Sequence, residues 1–195
     1  NSPAVMWRIA PHYSTLLRID PDNPAQVQGD LARQWTVSKD LLTYRFTLHP
    51  DVKFHDGSRL TSQDVKASFD RMRNPPQGVV SLRQAILADV DAIDAPDDTT
   101  VVFRFKRRNA AALQILAMPY ACVYSAKLLA SDPAYPGKRV MGSGPFRFVR
   151  HTPGADWTGE RFADYFQAGK PYLDGFRMLS MSPPAAINAL PAFVA

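Results

Sequence analysis

The sequence predicts a mixed α+β fold of the α/β class, and three observations carry that prediction. Several short segments alternate apolar and polar residues with period two, the mark of half-buried strands. A capped amphipathic helix and an Ala-rich helix lie between them. The order of elements favours hairpins over the regular strand–helix alternation of a doubly wound sheet. The chain has 195 residues, 46% of them apolar and 21% charged, which is enough to bury a core and excludes a disordered chain.

From the amino terminus, Met6, Ile9, Tyr13, Leu16 and Leu17 fall at helical spacing, and Pro11 is expected to kink that helix or split it into two short pieces. The run 20–24 is a loop by its turn chemistry, and 31–35 leads through the polar turn 38–40 into a strand. There Tyr44, Phe46 and Leu48 alternate with Arg45, Thr47 and His49, and a shorter extended piece, 52–54, ends at a tight turn, Asp56-Gly57. Thr61 to Asp64 fits a capping box, followed by Val65, Phe69 and Met72 on one helical face, with Pro75 and Pro76 ending the helix. A second helix is expected over 81–87 and a hairpin over 90–95 and 100–106. Asn109 is expected to cap an Ala-rich helix stopped by Pro119, and a short helix to span 125–130. The last strands are expected at 146–150, 157–161 and 176–181.

The basic balance, 23 Lys+Arg against 18 Asp+Glu, gives a net charge of +5. The basic residues are scattered, and their densest run, Lys106-Arg107-Arg108, follows a strand as a solvated turn does; no nucleic-acid partner is expected. Cys122 is the sole cysteine, so neither an intrachain disulfide nor a cysteine zinc site is available. The longest apolar stretch, 110–118, is far too short to span a membrane. Asn1 opens the chain without a start Met or an apolar leader, which leads us to expect a processed, trimmed or excised piece.

Catalytic patterns are missing from the sequence. His12, His49, His55 and His151 form no metal-binding pair, and each is expected in a turn or at the surface. Cys122 sits between Ala121 and Val123, where a thiol is inert packing. The segment Gly142-Ser143-Gly144-Pro145 lacks the third glycine and the Lys-Thr of a phosphate loop, and is expected to be a tight turn feeding a strand. With no nucleophile, base and orienter in sight, a non-catalytic domain with no cofactor and no metal is expected.

The succession LARQWTVSKD (31–40), TYRFTLH (43–49) and VKFHDGSRLTSQDV (52–65) resembles the family 5 extracellular solute-binding proteins, the peptide/nickel-type receptors of ATP-binding-cassette importers. The resemblance continues through DDTTVVFRFK (97–106), GSGPFRF (142–148) and YFQAGKPYLDG (165–175), covering roughly residues 4 to 182. It implies the first lobe of a two-lobed periplasmic-binding-protein-like fold, class II and peptide-binding type, with the second lobe absent. Residues 1–17 and 139–195 would form the main-sheet portion of that lobe and 18–138 its extra subdomain. The family pattern fades in the tail, 185–195, and the resemblance as a whole implies a truncated amino-terminal fragment.

The function so implied is solute capture: the substrate-binding component of an importer for di- or oligopeptides, periplasmic or extracellular and membrane-associated, not an enzyme. It would be monomeric and would hand a small-molecule or peptide ligand to a permease in the inner membrane. Carried over residue by residue, the ligand contacts would be Met6, Trp7, Met118, Pro119, Tyr120, Gly142, Ser143 and Gly144. The Arg and Trp that nickel receptors place after the capped helix are replaced here by 77–81, which argues against a metal chelate. The alternatives are a ligand-sensing regulatory module on the same fold, or another solute such as a nickel chelate, an opine or an oligosaccharide.

Overall fold

The computed structural model describes residues 3–181. Helix α1 (Pro3–Ile9) passes into a single 3-10 turn, Ala10–His12, because Pro11 has no N–H to continue the ladder. Beyond it the chain is extended, not helical as the spacing of Tyr13, Leu16 and Leu17 predicted. Those three side chains are buried, and Leu17 begins strand β1 (Leu17–Ile19), which pairs antiparallel with β2 (Val27–Gly29). Periodicity misled here because every residue of 12–17 is buried, so two registers look alike.

Four strands form the largest sheet among the described residues: β3 (Ala32–Val37), β4 (Thr43–Leu48), and the hairpin β5 (Val90–Asp97) and β6 (Thr100–Phe105), in the order β3-β4-β6-β5, all antiparallel. Between β4 and β5 runs α2 (Ser62–Arg73), which lays Val65 and Phe69 on the sheet; the Phe69 ring meets Phe103 edge-on at 5.1 Å, and Phe103 meets Phe46 at 5.8 Å. These buried aromatics centre the core. The expected helix over 81–87 shortens to a 3-10 turn, Gln84–Leu87.

After β6 come α3 (Ala112–Leu116) and α4 (Ala126–Ser131), the first shorter than its Ala-rich sequence predicted. Asn109 does not cap α3; its Oδ1 accepts from Ala111 N at 2.9 Å in a local turn. Ser125 does cap α4. A third sheet, β7 (Phe146–Thr152), β8 (Asp156–Arg161) and β9 (Gly175–Leu179), closes the described chain as an antiparallel meander. The divergent tail, 185–195, lies outside the described residues.

The capping box of α2 forms as predicted and does more than begin a helix. Asp64 Oδ2 accepts Thr61 N at 2.7 Å, while Oδ1 accepts Ala126 N at 2.8 Å, so one buried carboxylate serves the first turns of both α2 and α4. Asp64→Ala leaves both amides without an acceptor and is expected to cost about 2 kcal/mol. Urea unfolding measures it, and an unchanged midpoint with unchanged slope would refute the shared-cap account.

Candidate functional site

The end of α1, the residue before the Gln84–Leu87 turn and the loop after α3 converge on one groove. Met6, Trp7 and Ala10 from the α1 segment, Arg83, and Met118, Pro119 and Tyr120 from the loop after α3 line a space of about 370 Å³. Local chemistry places each side. Pro119 follows α3 and forbids its continuation, and Ala121 N closes a turn on Met118 O at 2.8 Å. Val123 N then donates to Ser14 O at 3.1 Å, docking this loop beside the segment that continues α1.

The groove stands out in its surface chemistry. Trp7 is 74% exposed and Met118 37% exposed, although both are large and apolar. Past Trp7, Ala10 and Pro119 the depression opens into a second space of about 590 Å³, bordered by Thr15, Arg18, Asp30 and Tyr165. Asp30 is buried there, with Oδ2 accepting Thr15 N at 2.8 Å, and burial raises its carboxyl to about 6. Burial also pushes the Tyr165 hydroxyl well above its ordinary range, so it stays protonated.

Of the residues expected to touch ligand, the structure brings Met6, Trp7, Met118, Pro119 and Tyr120 together. It does not bring Gly142, Ser143 and Gly144 to them. All three are buried, and a Cβ on Gly142 would lie 2.2 Å from His12 O. Their backbone instead joins three segments: Gly144 N donates to His12 O at 3.0 Å, His55 N donates to Gly142 O at 2.8 Å, and His55 Nε2 bonds Gly144 O at 2.9 Å.

The histidines need one correction. His12, expected in a turn or at the surface, is fully buried in the 3-10 turn. Its Nδ1 lies 2.7 Å from Phe146 O and Trp157 Nε1 donates to its Nε2 at 2.8 Å, which requires the neutral ring with its proton on Nδ1. Burial lowers its pKa to about 4. Cys122 is buried as expected, its thiol pushed up to about 12 by burial and Sγ donating to Pro119 O. Among the described residues no group of three or more His, Cys, Asp or Glu side chains is arranged to hold a metal. Among them, too, no helix is long and apolar enough to cross a membrane.

Sequence reasoning missed Arg83. It lies outside every quoted motif, and only the fold sets its guanidinium carbon 4.7 Å from the centre of the Tyr120 ring. Nothing in the spacing of 81–87 could have revealed that contact.

The architecture is that of the bacterial solute-binding receptors. The structure of AgaA from A. tumefaciens R10, solved in complex with agropinic acid, superposes with a TM-score of 0.86 at 31% identity, covering 95% of this chain and 37% of that one. The sequence pattern of the bacterial extracellular solute-binding proteins, family 5 (middle region), matches residues 26–192, and the chain belongs to that family. It is 37% identical over 162 residues to the glutathione-binding protein GsiB of Pectobacterium atrosepticum, covering 83% of this chain and 31% of that protein. It is 32% identical to di/tripeptide-binding protein 4 of Pseudomonas aeruginosa, covering 83% of this chain and 34% of the other. The chain therefore spans about a third of the length of these curated relatives.

Proposed function

We propose that this chain supplies the first-lobe wall of a ligand cleft in the substrate-binding component of an ATP-binding-cassette importer, and that the solute is peptide-like. The carrying observation is the groove along α1, where Trp7, Met118 and Tyr120 line a concave surface wide enough for a small extended ligand. A second lobe closing over it would exclude water from both faces of the ligand. The relatives named for glutathione and for di/tripeptides support a peptide-sized solute.

On this reading the protein does no bond-making. It works as a monomer in the periplasm or at the outer cell surface and delivers its solute to a membrane permease. Met6, Trp7, Met118, Pro119 and Tyr120 touch the ligand directly, whereas Gly142, Ser143 and Gly144 hold the segment that carries α1. On this reading 1–17 and 139–195 belong to the main sheet of the lobe and 18–138 to an extra subdomain; the separation of the meander β7–β9 from the sheet β3–β6 supports the second boundary.

The test is a thermal-shift screen of the intact gene product with trialanine, glutathione, an opine, a nickel chelate and a neutral oligosaccharide. A ligand at 100 times its Kd should add about 2.7 kcal/mol of stability. Hydrolysis of any of these compounds, or no shift with any of them, would overturn the proposal.

A further inference from the structure

Several surface arginines in this protein are paired: Arg104 with Asp94 at 2.9 Å, Arg107 with Asp89 at 2.7 Å and Arg147 with Glu160 at 2.8 Å. Arg83 is different. Arg83 is half-buried in the lining of the groove, its guanidinium carbon 4.7 Å from the centre of the Tyr120 ring, and among the described residues its Nε is buried without a hydrogen-bond partner. None of the ion pairs among those residues engages it either. A cation held this way gives up hydration on its stacked face and receives no protein anion in return. The arrangement costs stability in the empty protein unless something else supplies the counter-charge.

We infer that Arg83 is the anchor for a ligand carboxylate, so that the solute is an anion-tailed molecule such as a free peptide acid. This rests on the proposed binding function and names the chemistry the groove selects. The Tyr120 ring restrains the guanidinium beside it, and a planar, two-oxygen acceptor is the partner for which Arg surpasses Lys. One guanidinium balances one negative charge. A phosphate dianion would want a second cation, and no other Lys or Arg is among the residues lining this groove. The apolar walls at Met6, Trp7 and Met118 suit the rest of such a ligand, since they offer no charge to compete for the carboxylate.

The experiment is isothermal titration calorimetry of the intact gene product, wild type and R83M, with trialanine, trialanine amide, glutathione and maltotriose. Met keeps an unbranched side chain without the charge, and the unliganded melting temperature of R83M confirms folding. The expected result is that an acid probe, trialanine or glutathione, binds wild type, and that R83M weakens it roughly 10- to 100-fold. Trialanine amide should bind wild type more weakly than the acid and lose little further in R83M; if glutathione is the acid that binds, its glycine amide serves as the partner probe. Equal binding of acid and amide, equal losses of both in R83M, or binding of maltotriose alone would overturn the inference and leave the binding function standing. Failure of every probe to bind wild type would overturn the peptide-receptor reading itself, and this inference with it.

Discussion

Gly144→Ala is expected to destabilise the protein by about 3 kcal/mol, at the upper end for overpacking by a single methyl group. The added Cβ would stand 2.5 Å from both His12 C and Tyr13 N, and 2.7 Å from Pro11 O. All three are backbone atoms, so no flexible side chain can swing aside, and the segment that carries α1 would have to lift from the turn. That movement would break the bond from Gly144 N to His12 O and disturb the one between His55 Nε2 and Gly144 O. Gly154→Ala is the informative contrast. Nothing lies within 4 Å of its Cβ, and the strain comes only from its φ of +75°, worth about 1 kcal/mol. Urea unfolding of both variants checks the pair; equal midpoints for G144A and wild type would show that the close approach does not govern this junction.

The second large effect is in the acid dependence of stability, where two buried groups oppose each other. His12 is held neutral with its pKa lowered to about 4, so below pH 6.5 the unfolded chain takes up a proton the folded one refuses. Its contribution is complete above pH 6.5 and is lost as pH falls, by about 3 kcal/mol on reaching pH 4. Asp30 has the opposite sign. Burial raises its carboxyl to about 6, so its contribution is complete below the ordinary value of 3.8 and is lost as pH rises through 6. Between pH 6 and 4 the two slopes nearly cancel.

Separating them is straightforward. In D30N the stability should fall by about 3 kcal/mol more than in wild type between pH 7 and 4. In H12Q, where the acid-labile imidazole is gone, it should rise relative to wild type by about the same amount. His55, also lowered by burial, contributes equally to wild type and D30N and drops out of that comparison, whereas H12Q also removes its coulombic coupling to His12. Urea titrations at pH 7, 5.5 and 4 give the three profiles, and parallel curves for wild type and D30N would refute the Asp30 half of the account.

The parts of this fold legible in the sequence are those whose signal is local. The hairpin β5–β6 was visible because Val101, Phe103 and Phe105 face the core while Arg104 and Lys106 face solvent, and the capping box of α2 because its two partners are three residues apart. What depended on distant partners was not visible. The stretch from Tyr13 to Leu17 looks helical in isolation, yet it is drawn straight by Leu31 N bonding Thr15 O and by Ala32 N bonding Leu16 O. The short strands β1 and β2 have no alternation long enough to detect. At the site, the resemblance pointed to Met6, Trp7 and Met118 to Tyr120, but the burial of Gly142 to Gly144 and the stacking of Arg83 are tertiary facts that no spacing encodes.

The bonds that hold His12 span most of the chain: Phe146 O is 134 residues away and the Trp157 indole 145. A ribosome adding roughly 5 to 20 residues per second needs on the order of ten to thirty seconds to make the missing partners. Until then the segment around His12 waits without its seat, with Trp7 available to any apolar surface nearby. Chains of this protein should therefore engage holding chaperones through residues 6–20, and release them only once the meander β7–β9 is available.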